Sequence, residues 1–237
     1  MPRGNFDMSN LAACGARVSV NKRTFVTVVS GPPRSGTSMI MQMLQSGGMP
    51  IASDGIRQPD ESSPGGYFEL ERVESLQHSS PHPWFRELHG RAVKIPYVLL
   101  YRLPAGCPCR IIFMGRHWGE IPASQQVMLK RNGVTTTPSH DEALVPASRD
   151  GIVQVKEWLA AQPEKAMLSL DYNELIHDAH PHCEKMNLFL GGALDVDRMA
   201  AVVGASLYRQ RQTGLVEEPT VGDERIVWQR LKDLGYL

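Results

Sequence analysis

Residues Thr24 to Ser30 read Thr-Phe-Val-Thr-Val-Val-Ser, and Gly31-Pro-Pro-Arg-Ser-Gly-Thr-Ser38 follows before Met39 to Leu44 opens a helical pattern that stops at Gly47-Gly48. A β-branched apolar run of this kind marks a strand buried on both faces, and its natural host is a parallel sheet. Gly31-x4-Gly36 between such a strand and a helix is most of a P-loop, in which backbone N–H groups and a helix N-terminus hold phosphate or sulfate oxygens. The loop therefore commits the chain to an α/β fold with an anion site at the carboxyl end of its first strand.

Later segments repeat the alternation. Pro50 to Gly66 is a long Pro-, Gly- and Ser-rich loop, and Glu69 to His78 predicts a helix. Ala92 to Ile95 is short and apolar, Arg110 to Met114 is a second buried strand ended by Gly115, and Ile121 to Lys130 predicts a helix. Asn132 to Ala147 lacks periodicity and reads as a loop. Gly151 to Ala161 is helical again, Ala166 to Leu170 is a third strand, and helical pieces continue to about Val203. Strands alternating with helices predict a parallel doubly wound sheet over 24–237, preceded by a polar leader at 1–23.

The loop is as informative for what it omits. A Walker sequence continues after its second glycine with lysine, but here Gly36 is followed by Thr37 and Ser38. Nucleoside triphosphatases and kinases use that lysine, with a magnesium-binding hydroxyl and acid, to neutralise the transferred phosphoryl group. This loop offers Arg34 instead. A guanidinium donates to a bridging and a terminal oxygen together, which suits a singly bridged phosphosulfate without a metal.

Pro33-Arg34-Ser35-Gly36-Thr37-Ser38 resembles the 5′-phosphosulfate-binding loop of the sulfotransferases, usually written Pro-Lys/Arg-Ser-Gly-Thr-Ser/Thr. The family also binds the 3′-phosphate of its donor with an Arg at a strand end and a Ser eight positions on. Arg116 and Ser124 match that element. Asp171-Tyr-Asn-Glu-Leu, Phe189-Leu-Gly191 and Leu207-Tyr-Arg-Gln-Arg211 resemble further family elements, so the likeness spans about Phe25 to Arg211. A Gly-x-Trp-Lys loop that often closes the donor site has no counterpart. Arg209 and Arg211 are the candidates to replace it at the 3′-phosphate.

The resemblance implies transfer of a sulfuryl group from 3′-phosphoadenosine 5′-phosphosulfate (PAPS) as co-substrate, without a metal, to a hydroxyl or amine on a small-molecule or carbohydrate acceptor. Such chemistry needs cations on the sulfuryl oxygens and a base for the acceptor proton. Arg34 and Lys94 are the candidate cations, because Val93-Lys94-Ile95-Pro96 with Leu103-Pro104 resembles the Lys-Thr-His-x-Pro segment of cytosolic sulfotransferases. The histidine that serves as base in that segment is replaced here by Pro96. Glu69, in a Gly-Tyr-Phe-Glu string that resembles a bacterial element, becomes the candidate base at a predicted helix start. His78, His82, His89 and His117 are the alternatives. Two other readings stay open on sequence: a P-loop phosphotransferase, and a relative that binds an adenosine phosphate without turnover.

Composition narrows the partners. Lys plus Arg equals Asp plus Glu at 25 each, so no overall field draws nucleic acid or an anionic membrane surface. No apolar stretch approaches the roughly 20 residues of a membrane span. The first 22 residues lack the apolar core of a signal peptide, which predicts a cytoplasmic protein. Four cysteines, Cys14, Cys107, Cys109 and Cys183, read as thiols of a reducing compartment, since Cys-Pro-Cys has no second ligand pair at zinc spacing.

Overall fold

The computed structural model describes residues 23–56, 66–78, 81–117, 125, 129, 138–203 and 224–234. Within them, strands β1 (Val26–Ser30), β2 (Ile51–Ala52), β3 (Ala92–Lys94), β4 (Cys109–Gly115) and β5 (Lys165–Asp171) form one parallel sheet. Its order is β2-β3-β1-β4-β5. The chain leaves β1 toward one edge and returns to fill the other, so the loop after β1 lies at the switch point where open α/β sheets bind ligands. This is the expected parallel doubly wound architecture.

Alternation along the central strands builds two cores. Val26 and Val28 of β1 and Ile111 and Phe113 of β4 share one cluster with Phe85, Leu99 and Val155. Val29, Ile112 and Met114 point the other way, to Ile40, Met43 and Leu44 of helix α1 (Thr37–Ser46) and to Met186. Every residue of β1 is buried, as its β-branched run requires. Helix α1 ends as the Gly47-Gly48 pair predicts. Gly48 at φ 91° lets its N–H donate to Gln45 and that of Met49 to Leu44, a Schellman closure.

Helices α2 (Pro138–Ala160), α3 (Tyr172–His177), α4 (Ala179–Phe189), α5 (Val196–Ala201) and α6 (Glu224–Asp233) complete the layers. Asp171 caps α3, its carboxylate accepting from the N–H groups of Asn173 at 2.8 Å and Glu174 at 3.1 Å.

Three expectations are corrected, the first being the loop read over Pro50–Gly66, which carries β2 at Ile51–Ala52 where the backbone pairs with β3. The stretch 132–147 is not loop throughout, because α2 starts at Pro138 and runs through Pro146. Proline fits the first helical turn, and a single interior proline removes one ladder bond from a 23-residue helix that keeps the others. The helix predicted over Glu69–His78 is a 3-10 helix confined to Glu71–Gln77, with Leu70 extended before it at φ −134°. Helix α6 was not foreseen. Of the helix predicted over Ile121–Lys130, Gln125 and Leu129 are helical and the rest lies outside the described residues. Among the described residues, no helix is long and apolar enough to cross a membrane.

Candidate functional site

The site begins at the carboxyl end of β1. Ser30 is fully buried, and its hydroxyl donates to the Ile95 carbonyl at 2.7 Å, fixing the end of β1 against the segment after β3. Gly31 then passes under β4 so closely that a β-carbon there would sit 2.3 Å from the Met114 carbonyl oxygen. Only glycine fits. The Ser35 N–H donates to the Pro32 carbonyl at 3.1 Å to close the turn, with Arg34 in the left-handed region at φ 70°. A non-glycine residue held there stores strain of about 1–3 kcal/mol, which fixed loops at functional sites tolerate. Pro33 is buried within the turn, Gly36 at φ 96° delivers the chain into α1, and Thr37 is its first, buried residue.

The chemistry of this cradle suits an anion. The Ser35 hydroxyl is fully buried yet has no hydrogen-bond partner among the described residues. A buried hydroxyl in that condition is costly unless a ligand oxygen completes it, and the loop and first turn of α1 surround the place where a phosphate or sulfate would do so. The residues present therefore fit a phosphate or sulfate group.

On the β4 side, the Arg116 guanidinium donates through Nη1 to the Arg34 carbonyl at 2.9 Å and stacks on the Tyr172 ring at 4.5 Å. Tyr172 is the residue the sequence reading left without a role. It also packs beneath Gly36, where a β-carbon would meet its Cδ2 at 2.5 Å. The ring thus links the phosphate loop to the half-buried Arg116. Gln125, one residue beyond Ser124, is buried and donates through Nε2 to the Pro33 carbonyl at 3.5 Å. Ser124, Arg209 and Arg211 lie outside the described residues.

The β3 side holds the two candidates for proton and charge handling. Lys94 ends β3 and is 5% exposed. Its ammonium donates to the Tyr67 carbonyl at 2.5 Å and pairs with Glu69 Oε1 at 3.2 Å. The Ser38 hydroxyl donates to the same Tyr67 carbonyl at 3.4 Å, so α1, β3 and the Gly66–Glu69 segment meet at one oxygen. Contrary to the expectation from the sequence, Glu69 does not open a helix. It lies just beyond Phe68, which is left-handed at φ 57°, and its own carbonyl accepts from Asp54 N–H at 3.2 Å and Ser53 Oγ at 3.0 Å. Its carboxylate is held by a direct ion pair with Lys94 and not at a helix start.

The alternative bases fare worse. His89 lies against Cys107 at the amino end of β4, away from the loop, and His82 contacts the His78 carbonyl. His117 is exposed just past Arg116. Cys107 and Cys109 are buried, and burial followed by the neighbouring thiol pushes the Cys109 pKa up to about 12. Among the described residues, no group of three or more His, Cys, Asp or Glu is arranged to hold a metal ion.

Helix α6 is a second element, after β2, that the sequence reading missed. Val227, Leu231 and Leu234 are buried at spacing i, i+4, i+7, and Leu231 reaches the phosphate loop. That periodicity was the available signal. The strongly charged positions between those residues masked it.

No protein-family model matches the chain, and no curated protein matches it in sequence. Solved structures do. A mouse sulfotransferase, SULT7A1, complexed with PAP superposes with a TM-score of 0.50 at 18% identity, over 78% of this chain and 65% of that one. The chain therefore spans about two thirds of the length of that protein. The sulfotransferase domain from the curacin biosynthetic pathway gives a TM-score of 0.47 at 16% identity, over 90% of this chain and 98% of that domain. A Mycobacterium tuberculosis sulfotransferase, STF1, gives 0.46 at 13%, over 90% and 77%. The likeness is one of fold.

Proposed function

We propose that this chain, which has the sulfotransferase fold, is itself a sulfotransferase and moves a sulfuryl group from PAPS to a hydroxyl or amine acceptor. The observation that carries the reading is the lysine-free phosphate loop, with Arg34 held in the turn and the buried Ser35 hydroxyl left for an oxyanion. In this reading Pro33 to Ser38 cradle the 5′-phosphosulfate with the N-terminus of α1, and Arg34 binds its oxygens. Arg116, with Ser124, takes the 3′-phosphate, and Arg209 or Arg211 closes over it.

Transfer requires the acceptor oxygen or nitrogen to form a bond to sulfur while the bond from sulfur to the bridging phosphate oxygen breaks. The electron pair leaves with 3′-phosphoadenosine 5′-phosphate (PAP), and the acceptor proton must go to a base. Glu69 is that base. Lys94, paired with it at 3.2 Å, stands where a cation can steady the oxygens that gain charge. The paired carboxylate accepts the proton as the ammonium turns to the sulfuryl group.

Calorimetric titration with PAP, beside ATP with magnesium, tests the reading. Micromolar binding of PAP in the absence of magnesium is expected, with ATP far weaker. Preference for magnesium–ATP would make the chain a phosphotransferase. PAP binding with no turnover across hydroxyl and amine acceptors would make it a binder.

A further inference from the structure

Arg23 and Arg110 meet at the amino end of the sheet, where the chain enters β1 and where β4 begins. The five residues of β1, at about 3.3 Å each, put roughly 16 Å between this end and the phosphate loop. Both guanidinium groups reach the end of helix α4. Arg23 Nε donates to the Leu190 carbonyl at 3.2 Å, and Arg110 Nη1 donates to the Phe189 carbonyl beside it. The Arg110 guanidinium also lies over two aromatic rings, 4.1 Å from the centre of Phe25 and 5.9 Å from that of Phe189.

The helix end does not balance this charge. A helix C-terminus carries about half a negative charge, and two full positive charges face it. Among the described residues, no carboxylate stands at ion-pair distance from either arginine. The pKa of Arg23 is lowered, first by burial and then by the charge of Arg110, so the two groups lie close enough to repel. Each guanidinium has five N–H groups and commits only one to a carbonyl. The ring contacts restrain Arg110 without using its donors, which presets the fork for an oxyanion. Leu188, Gly191 and Gly192 are exposed around the helix end, so a ligand can enter from solvent.

We propose that Arg23 and Arg110 together form a second anion site, distinct from the donor site, that takes the dianion of a phosphate group. A surplus of more than one positive charge suits a dianion better than a monoanion, and tetrahedral oxygens can accept from both forks. The bound group ties the entry of β1 and the start of β4 to the end of α4, whose Met186 packs in one core with Ile40 and Met43 of α1. The site shares no residue with the sulfotransferase reading and stands or falls apart from it.

The test uses the intact protein with inorganic phosphate, glycerol 3-phosphate, acetate or chloride at equal ionic strength. Modification of Arg23 and Arg110 by phenylglyoxal, read peptide by peptide by mass spectrometry, should slow at least about fivefold in about 10 mM of the phosphates and less than about twofold in acetate. With a dissociation constant of about 1 mM, the same phosphate should raise the thermal midpoint by about 3–5 °C over chloride. Arg23→Gln and Arg110→Gln should each lose at least about half of that rise, and lose as much in an Arg34→Ala background, which separates this site from the phosphate loop. Arg23→Gln keeps the test open if Arg110→Gln, between its two rings, fails to fold. Protection by both phosphates supports a site for phosphate esters, and protection by inorganic phosphate alone supports a site for the free ion. Protection of neither arginine overturns the proposal, as does equal protection by acetate or an undiminished midpoint rise in folded Arg23→Gln.

Discussion

The Arg116 guanidinium and the Tyr172 ring lie stacked at 4.5 Å, and the same ring fills the space where any side chain at residue 36 would have to go. One aromatic side chain thus supports both the phosphate loop and the arginine assigned to the 3′-phosphate. Gly36→Ala should disturb both. A β-carbon 2.5 Å from Tyr172 Cδ2, at a φ of 96°, is expected to lower stability by about 1–3 kcal/mol and to weaken PAP binding more than tenfold. Thermal unfolding beside calorimetry checks it, and unaltered PAP affinity would show the packing to be irrelevant to the site.

Arg34→Ala is expected to weaken PAP by about a hundredfold, since a bidentate charged contact contributes a few kcal/mol. Magnesium should restore nothing. Equal affinity of wild type and variant would remove Arg34 from the donor site.

Selectivity for the 3′-phosphate should reside in Arg116. Wild type should prefer PAP over adenosine 5′-monophosphate, and Arg116→Ala should lose most of that ratio while keeping affinity for the monophosphate within a few fold. A retained ratio would leave Arg116 with only its contacts to Arg34 and Tyr172.

The Lys94–Glu69 pair separates binding from chemistry. Glu69→Gln keeps a hydrogen-bond acceptor for Lys94 but cannot take a proton at that oxygen, so turnover should fall about a hundredfold with PAP affinity nearly unchanged. Near wild-type turnover would move the base elsewhere. Lys94→Ala is expected to cost stability as well, because the buried Tyr67 carbonyl and the partly buried Glu69 carboxylate both lose a charged donor.

Alkaline pH should loosen the fold through its thiols. Burial raises the pKa of Cys109 to about 12 and of Cys183 to about 11, above the ordinary thiol value of 9.0. The neutral thiols contribute fully below pH 9, and the contribution declines as the pH climbs through 11 and 12, because the unfolded chain releases those protons first. Denaturant midpoints should therefore fall steadily above about pH 9 and fall less in Cys109→Ala. At neutral pH both thiols should resist alkylation until the chain is unfolded.

What the sequence made legible was local. β1, the loop and α1 lie within 23 consecutive positions, 24–46, so their hydrophobic pattern, glycines and helix start could be read together. The Lys94–Glu69 pair was not legible as a pair. It depends on β3 docking beside β1 and on Asp54 holding the chain at Glu69 and Glu71, contacts between segments 15 or more residues apart. Tyr172 was visible as part of a family-like string, but its place beneath Gly36 is a matter of packing across the sheet. The stretch Asn132–Ala147 was read as loop for its lack of periodicity, although a long helix runs from Pro138 through Pro146. Ser124, Arg209 and Arg211 stand as sequence expectations alone.

The central position of β1 also divides the chain's evolutionary freedom. Its β3 flank takes its strands from residues up to Pro96 and its β4 flank from residues beyond Cys109, with α5 packing back against α1 at Gly47 and α6 against the phosphate loop. Lineages can lengthen, shorten or exchange the stretch between α1 and β3 without disturbing the strand that carries Arg116.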